Sequence, residues 1–284
     1  MKTIALIWLV FSITVMSGGV AGALPVITNG LVAAYEFRGN ANDVSGNGNH
    51  GVVNGATLTA DRFGNLDSAY SFDASRARIE VAPIFSSDQT QLTYVSWVKI
   101  NASFGGTIYG EYSTSGWTRN YFLSGPYQGG YVTLSTYPSS GQLNREVFFQ
   151  RPDLVSDWVQ VALVREGNTV HGYLNGSYYG SDTASGTYSG STPTLAAIGN
   201  RYNSVAGGWY VNGDTYKWDG AIDELLVYDR ALSATEVQTL YSPVPEPTTA
   251  LLVGLGLMGL GIRRSARSFT PRGASTDRCG LPSC

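Results

Sequence analysis

The stretch Leu92 to Ile100, L-T-Y-V-S-W-V-K-I, constrains this chain more than any other. Side chains alternate across a strand, so Tyr94 and Val98 fall on one face and Val95 and Trp97 on the other. A strand that is apolar on both faces has to be covered on both, so it belongs in the middle of a sheet with structure above and below it. The rest of the chain is built to match. Short apolar runs rich in Tyr, Thr and Ser are punctuated by glycine, and one segment only has helical periodicity. Short strands with regular turn signals predict an all-β fold, an antiparallel sandwich or a barrel. No internal repeat and no long linker divides it.

The strands can be placed in order. Leu31 to Phe37 opens the domain, with Leu31, Ala33, Tyr35 and Phe37 on one face. Gly51 to Leu58 reads as a second strand with a bend at Asn54-Gly55. Asp61 to Asn65 is a turn, and Ala69–Phe72 and Ala77–Val81 are short strands. Trp158–Arg165 and Thr169–Leu174 form a hairpin, and Asn175-Gly176 is a strong signal for another. Leu195–Gly199 and Ala221–Tyr228 complete the set. Asp223 shares a face with Leu225 and Val227 in the last strand, and a carboxylate among apolar neighbours needs a partner. Ser233 to Tyr241 is the helix, opened by a capping box of Ser233 and Glu236.

Both ends carry apolar segments. Lys2, the apolar run Ile4 to Met16 and the small residues Ala21-Gly22-Ala23 read as a secretory signal peptide over 1–23. Near the other end, Pro243 to Pro247 break regular structure, Thr249 to Ile262 carry no charge, and Arg263, Arg264 and Arg267 follow. That order suits a short transient membrane helix with its arginines on the cytoplasmic side. The run V-P-E-P-T-T-A-L-L-V-G-L-G-L-M-G-L-G-I-R-R resembles a PEP-CTERM sorting signal, carried by Pro245, Glu246, Pro247, Arg263 and Arg264. The resemblance implies an exported bacterial protein, transient insertion in the inner membrane, and removal of the tail by an exosortase. The product is then expected at the cell surface or in the extracellular matrix. The expected organisation is signal peptide 1–23, domain 24–242, sorting signal 243–267 and a polar, disordered tail 268–284.

Composition narrows the function classes. The two cysteines, Cys279 and Cys284, lie in the tail, so the domain has no disulfide and rests on its core. From Leu24 to Pro243 there are 12 basic and 19 acidic residues, a net charge of −7. Nucleic acid is not expected as a partner for such a surface.

The segment Asn40 to Gly51, N-A-N-D-V-S-G-N-G-N-H-G, is too polar to bury and too rich in Gly and Asn to be regular. One carboxylate and several amide and carbonyl oxygens suit a hard cation such as calcium. It is not an EF-hand loop, because the twelfth position from Asp43 is Asn54 and not Glu. Asp43 also suits a turn residue bonded to its own backbone.

The stretches L-V-A-A-Y-E-F-R-G-N-A-N-D-V-S-G-N-G-N-H-G, V-S-W-V-K, W-V-Q-V-A-L-V-R-E-G and W-D-G-A-I-D-E-L-L-V-Y-D-R-A-L-S-A-T-E-V together resemble laminin-G-like domains. These are concanavalin A-like jelly rolls of bacterial surface proteins. The resemblance covers Gly30 to Tyr241 and implies that the first and last strands lie near each other. It further implies a structural calcium site of Asp43, Asn47, Asn49, His50 and Asp223. The alternative for Asp223 is a carboxylate bonded to backbone N–H groups of the loop.

Fold does not fix ligand, and members of this family range from carbohydrate-binding modules to adhesins. Catalysis is not expected. A retaining glycosidase needs two carboxyls about 5 Å apart. Here Asp223 and Glu224 are adjacent and so expected on opposite faces, while Asp73 and Glu80 read as isolated. No domain cysteine or G-x-S-x-G serine offers a nucleophile, though a lyase with Tyr and Arg is compatible with the composition. Aromatic rings stack on sugar rings. Trp117, Tyr121, Tyr127, Trp209, Tyr210 and Trp218 lie in Gly-rich stretches and are the candidate ligand-binding residues, while Trp97 and Trp158 read as core. The expected role is non-catalytic binding of an extracellular polysaccharide or surface glycan. The alternatives are a structural or adhesive matrix protein and, behind it, a polysaccharide lyase or hydrolase.

Overall fold

The computed structural model describes residues 27–73, 76–86, 89–101, 106–114, 120–123, 126–127, 131–136, 145–150, 157–183, 192–203, 208–209 and 218–241. The chain divides into two compact units, Met1–Pro243 and Val244–Cys284. The signal peptide, sorting helix and tail expected from the sequence lie outside the described residues. Among the described residues no helix is long and apolar enough to cross a membrane.

The domain is a jelly roll of antiparallel sheets. The larger sheet contains β1 (Leu31–Tyr35), β3 (Thr57–Thr59), β4 (Ala69–Asp73), β6 (Gln91–Ile100), β12 (Trp158–Glu166), β13 (Thr169–Leu174), β14 (Ser177–Thr183) and β18 (Asp219–Tyr228). Its order is β14-β13-β12-β6-β18-β4-β3, with β1 also on β18. The strand apolar on both faces, β6, is therefore central, as its sequence demands. The smaller sheet runs β2 (Val52–Asn54), β5 (Arg78–Val81), β15 (Leu195–Ile198), β7 (Thr107–Tyr112), β8 (Asn120–Leu123). A three-stranded ribbon of β9 (Pro126–Tyr127), β10 (Tyr131–Thr136) and β11 (Arg145–Gln150), and the pair β16 (Tyr202–Asn203) and β17 (Gly208–Trp209), complete the strands among the described residues.

The alternation within β6 distributes two cores. Leu92, Tyr94, Val98 and Ile100 join Tyr35, Phe72, Ile222 and Leu225 and, from the smaller sheet, Ile79, Tyr109 and Ile198 between the sheets. On the opposite face Val95 joins Ala34, Ala162, Leu226 and Tyr228 beneath the helix α1 (Ala234–Tyr241), which contributes Val237 and Leu240. Full burial of each of those two side chains stabilises by about 1.5–3 kcal/mol. The capping box forms as the sequence predicts: Ser233 N–H donates to Glu236 Oε2 at 2.8 Å, and Glu236 N–H donates to Ser233 Oγ at 3.3 Å. Arg230 adds an ion pair to Glu236 at 2.6 Å.

The structure corrects one strand. Gly51 to Leu58 is not a single element. The chain crosses from β2 in the smaller sheet to β3 in the larger at Gly55, whose φ of 78° is open to glycine and unfavourable for other residues.

Candidate functional site

Among the described residues, three places hold the polar and aromatic side chains on which function can rest. The first is the loop after β1. It lies along the edge of β1 remote from β18, with Asp43 bridged to Tyr35. Asp43 is 5% exposed. Its Oδ1 accepts N–H bonds from Ala34 and Ser45, each at 2.9 Å, and its Oδ2 accepts one from Asn49, also at 2.9 Å. Burial raises this carboxyl, but the backbone N–H groups outweigh burial and leave its pKa below the usual value. Asn47 and Asn49 donate their side-chain amides to the Val32 carbonyl, at 3.1 and 3.0 Å. His50 Nδ1 accepts the Asp43 N–H at 3.2 Å, and Tyr35 donates its hydroxyl to the Asn49 carbonyl at 2.7 Å. Gly51 is held so close to Ile79 that a Cβ there would stand 2.5 Å from its Cγ2.

The residues expected to form one calcium site are not brought together. Asp223 lies on β18, and its carboxylate faces Arg62 instead of the loop. Both carboxylate oxygens of Asp43 face N–H donors, whereas a hard cation needs converging oxygens. Among the described residues no group of three or more His, Cys, Asp or Glu side chains gathers at one point. The donor set does not fit a calcium ion shared by the loop and Asp223.

The second place is the junction around Asp223. β18 pairs with β4 over Asp219–Ile222 and with β1 over Leu225–Tyr228, both on the edge remote from β6. Between the two lies a bulge. Asp223 pairs with Trp97 and Leu226 with Val95, so Glu224 and Leu225 together face Ser96, and Glu224 has φ 50°. The bulge breaks the alternation on which the sequence reading relied. Asp223 and Glu224 do not diverge: Arg62 Nη1 lies 3.1 Å from Asp223 Oδ2 and 2.6 Å from Glu224 Oε2. The guanidinium sits over the rings of Phe63 and Trp97, at 4.3 and 4.5 Å from their centroids. Trp97 in turn stacks on Tyr241 at 5.6 Å, so it lies on the helix-bearing face and not between the sheets. Ser96 donates its hydroxyl to the Asp223 carbonyl at 3.1 Å. Burial, then the neighbouring Glu224, push the Asp223 carboxyl up to about 8 against the pull of Arg62. Burial raises Glu224 as well.

The third place is the outward face of the smaller sheet. Ile79 and Val81 of β5 point into the core, so Arg78 and Glu80 point out. Trp209 is partly exposed above them. Its ring meets Tyr202 edge-on at 5.3 Å and Tyr112 at 5.9 Å, and the Arg78 guanidinium lies 5.0 Å from its centroid. Arg78 Nε donates to Glu80 Oε1 at 2.7 Å. The strand register runs on from Glu80 under cover, through the buried Ala197 and Gly110. Val52, Glu80, Ala197, Gly110 and Tyr121 stand opposite one another in a single cross-strand row. Three strand spacings separate Glu80 from Tyr121, roughly 14 Å.

Of the six aromatic residues singled out in the sequence, the structure puts Trp209 on this shelf and Tyr121 at the end of its row. Trp218 is 0% exposed, part of the core between the sheets, with its indole N–H donated to the Ala221 carbonyl at 3.3 Å. It is a core residue and no ligand platform. Tyr127 falls in β9, on the separate ribbon. Trp117 and Tyr210 lie outside the described residues, as do all the sorting-signal residues. The sequence reading missed Arg78, Glu80 and Tyr202. The R-I-E pattern of 78–80 holds the signal, because opposite charges two apart on a strand share a face.

Comparison with known proteins agrees with this architecture. A family model described as the concanavalin A-like lectin/glucanases superfamily matches residues 73–238, and the PEP-CTERM protein-sorting motif matches residues 243–265. That motif marks an exported protein processed at its C-terminus at the cell envelope. No curated protein matches the sequence. Among solved structures, domain 4 of AbnA, an extracellular arabinanase from Geobacillus stearothermophilus solved in complex with arabinotriose, is similar with a TM-score of 0.55 and 21% identity. The similarity covers 75% of this chain and 98% of that one. The binding domain of botulinum neurotoxin serotype D is similar with a TM-score of 0.59 and 13% identity, over 75% of this chain and 51% of that domain. The receptor-binding domain of the C/D mosaic neurotoxin has a TM-score of 0.56 and 16% identity, over 76% and 51%. This chain thus spans about half the length of the neurotoxin domains it matches. With its central two-faced strand, its paired first and last strands and the family match over most of the domain, the chain belongs to the concanavalin A-like lectin/glucanases superfamily.

Proposed function

We propose that this is an exported bacterial envelope protein whose laminin-G-like domain binds glycan without cleaving it, and whose mature form resides at the cell surface or in the extracellular matrix after exosortase processing. The observation that carries the reading is Trp209: a partly exposed indole flanked by Tyr202 and by Arg78, which is itself paired with Glu80. Sugar rings stack on such a face while charged side chains bond their hydroxyls. The arabinotriose bound by the similar arabinanase domain supports the same ligand class. A glycan array and polysaccharide pull-downs with the full-length chain in mild detergent test it. Binding that Trp209→Ala removes is the expected result; a chain that retains no polysaccharide from a broad panel is instead a structural or adhesive matrix component.

A second reading is hydrolysis, favoured by one observation. The bulge turns Asp223 and Glu224 toward the same guanidinium, and burial raises both carboxyls, the condition in which a carboxylic acid can serve as a proton donor at neutral pH. Their side chains are only 3% and 11% exposed, so the cluster suits a structural role better than contact with a polymer. New reducing ends released from a polysaccharide panel, and lost in Glu224→Gln, are the result that favours hydrolysis.

A further inference from the structure

The glycan-binding reading of the Trp209 shelf leaves the class of glycan open, and the Arg78–Glu80 pair narrows it. The donors of Arg78 are engaged within the protein. Nε and Nη2 both meet Glu80 Oε1, at 2.7 and 2.5 Å, and Nη1 donates to the Arg76 carbonyl at 3.1 Å. The guanidinium lies against the Trp209 ring at 5.0 Å from its centroid, and the Arg78 side chain is 17% exposed, whereas that of Glu80 is 41% exposed. Of this ion pair the carboxylate is the member more exposed to solvent, and Arg78 is the residue that positions it. A carboxylate only accepts hydrogen bonds. It is matched by sugar hydroxyls and opposed by the carboxylate or sulfate groups of acidic polysaccharides. The net charge of −7 from Leu24 to Pro243 acts in the same direction.

Resting on that reading, we propose that the shelf selects uncharged, hydroxyl-rich glycans and that Glu80 is its specificity-determining residue. The test titrates the full-length chain, in mild detergent, against a neutral arabinan and β-glucan and against anionic alginate and polygalacturonate. The wild-type chain binds at least one neutral polymer about tenfold or more tighter than either anionic one at low salt, and raising the salt to 1 M shrinks that ratio, because salt screens exposed charges. Glu80→Gln, with an unchanged melting temperature, narrows or reverses the ratio, while Trp209→Ala weakens both classes together. Equal or tighter binding of the anionic polymers by the wild type overturns the inference and leaves glycan binding standing. So does a ratio that neither salt nor Glu80→Gln changes. Absence of binding to all four polymers, with Trp209→Ala indistinguishable from wild type, overturns the glycan reading itself and the inference with it.

Discussion

Arg62 reaches Asp223 across 161 positions of sequence in a 3.1 Å ion pair, at the point where β18 exchanges β4 for β1 as its neighbour. Glu224 joins the same Nη1 at 2.6 Å, so one guanidinium serves two carboxyls. Two carboxylates against one cation leave an excess negative charge in a buried place, and a retained proton relieves it. The cluster closes the gap between the collinear strands β1 and β4 with one guanidinium held by two carboxyls.

Removal of Arg62 leaves both carboxyls buried without their cation. Breaking a buried charge pair by taking away one partner costs about 3–5 kcal/mol. Arg62→Met is accordingly expected to lower the urea midpoint strongly, and to do so more at pH 9 than at pH 5, where the carboxyls take up protons. Equal losses at both pH values would show that the guanidinium acts through its packing on Phe63 and Trp97 alone.

The same cluster sets a pH dependence. The Asp223 pKa rises from 3.8 when unfolded to about 8 in the fold, so the folded state binds the extra proton between those values. Its contribution is fully present below about pH 4 and is lost as pH rises through about 8. Glu224, raised in the same way, adds to the trend. Thermal melts from pH 4 to pH 9 are expected to show a falling contribution from this site that Asp223→Asn flattens. An unchanged pH profile in that variant would assign the dependence elsewhere.

Acid acts on the helix cap with the opposite sign. Glu236, bonded first by Arg230 and then by Ser233, has its carboxyl lowered to about 2. Its contribution is present above the unfolded value of 4.5 and is lost as pH falls toward 2. Ser233→Ala is expected to cost about 1 kcal/mol, read as a lower urea midpoint at pH 7.

Two tryptophans separate core from surface. Trp218→Ala empties a fully buried site between the sheets and is expected to cost about 3–5 kcal/mol, whereas Trp209→Ala leaves the melting temperature within a few degrees. Circular-dichroism melts of the pair, set beside glycan binding, distinguish the residue that holds the fold from the one that faces ligand.

Chelation tests the loop. With both oxygens of Asp43 bonded to backbone N–H groups, EDTA is expected to leave the melting temperature unchanged, while Asp43→Ala lowers it by removing the acceptor of three buried or part-buried N–H bonds. A fall on chelation that calcium restores would reinstate a metal in the loop.

The sequence alone determined the architecture, because burial is written into periodicity. A strand apolar on both faces, L-T-Y-V-S-W-V-K-I, has no stable place except the middle of a covered sheet, and β6 is there. The capping box of Ser233 and Glu236 and the hairpin turn at Asn175-Gly176 were legible for the same reason, since each is a local rule satisfied by neighbours in the chain. Tertiary structure decided the rest, where the partner is remote or the period breaks. Nothing in the spacing of Arg62 and Asp223 announces their pairing, and the bulge at Glu224 turned two adjacent carboxyls, read as opposed, onto one cation. The cross-strand row from Glu80 to Tyr121 and the indole above it likewise exist only once strands distant in sequence lie side by side. Local chemistry sets the alternation of faces along a strand; only the folded sheet fixes where that alternation breaks and which residues meet.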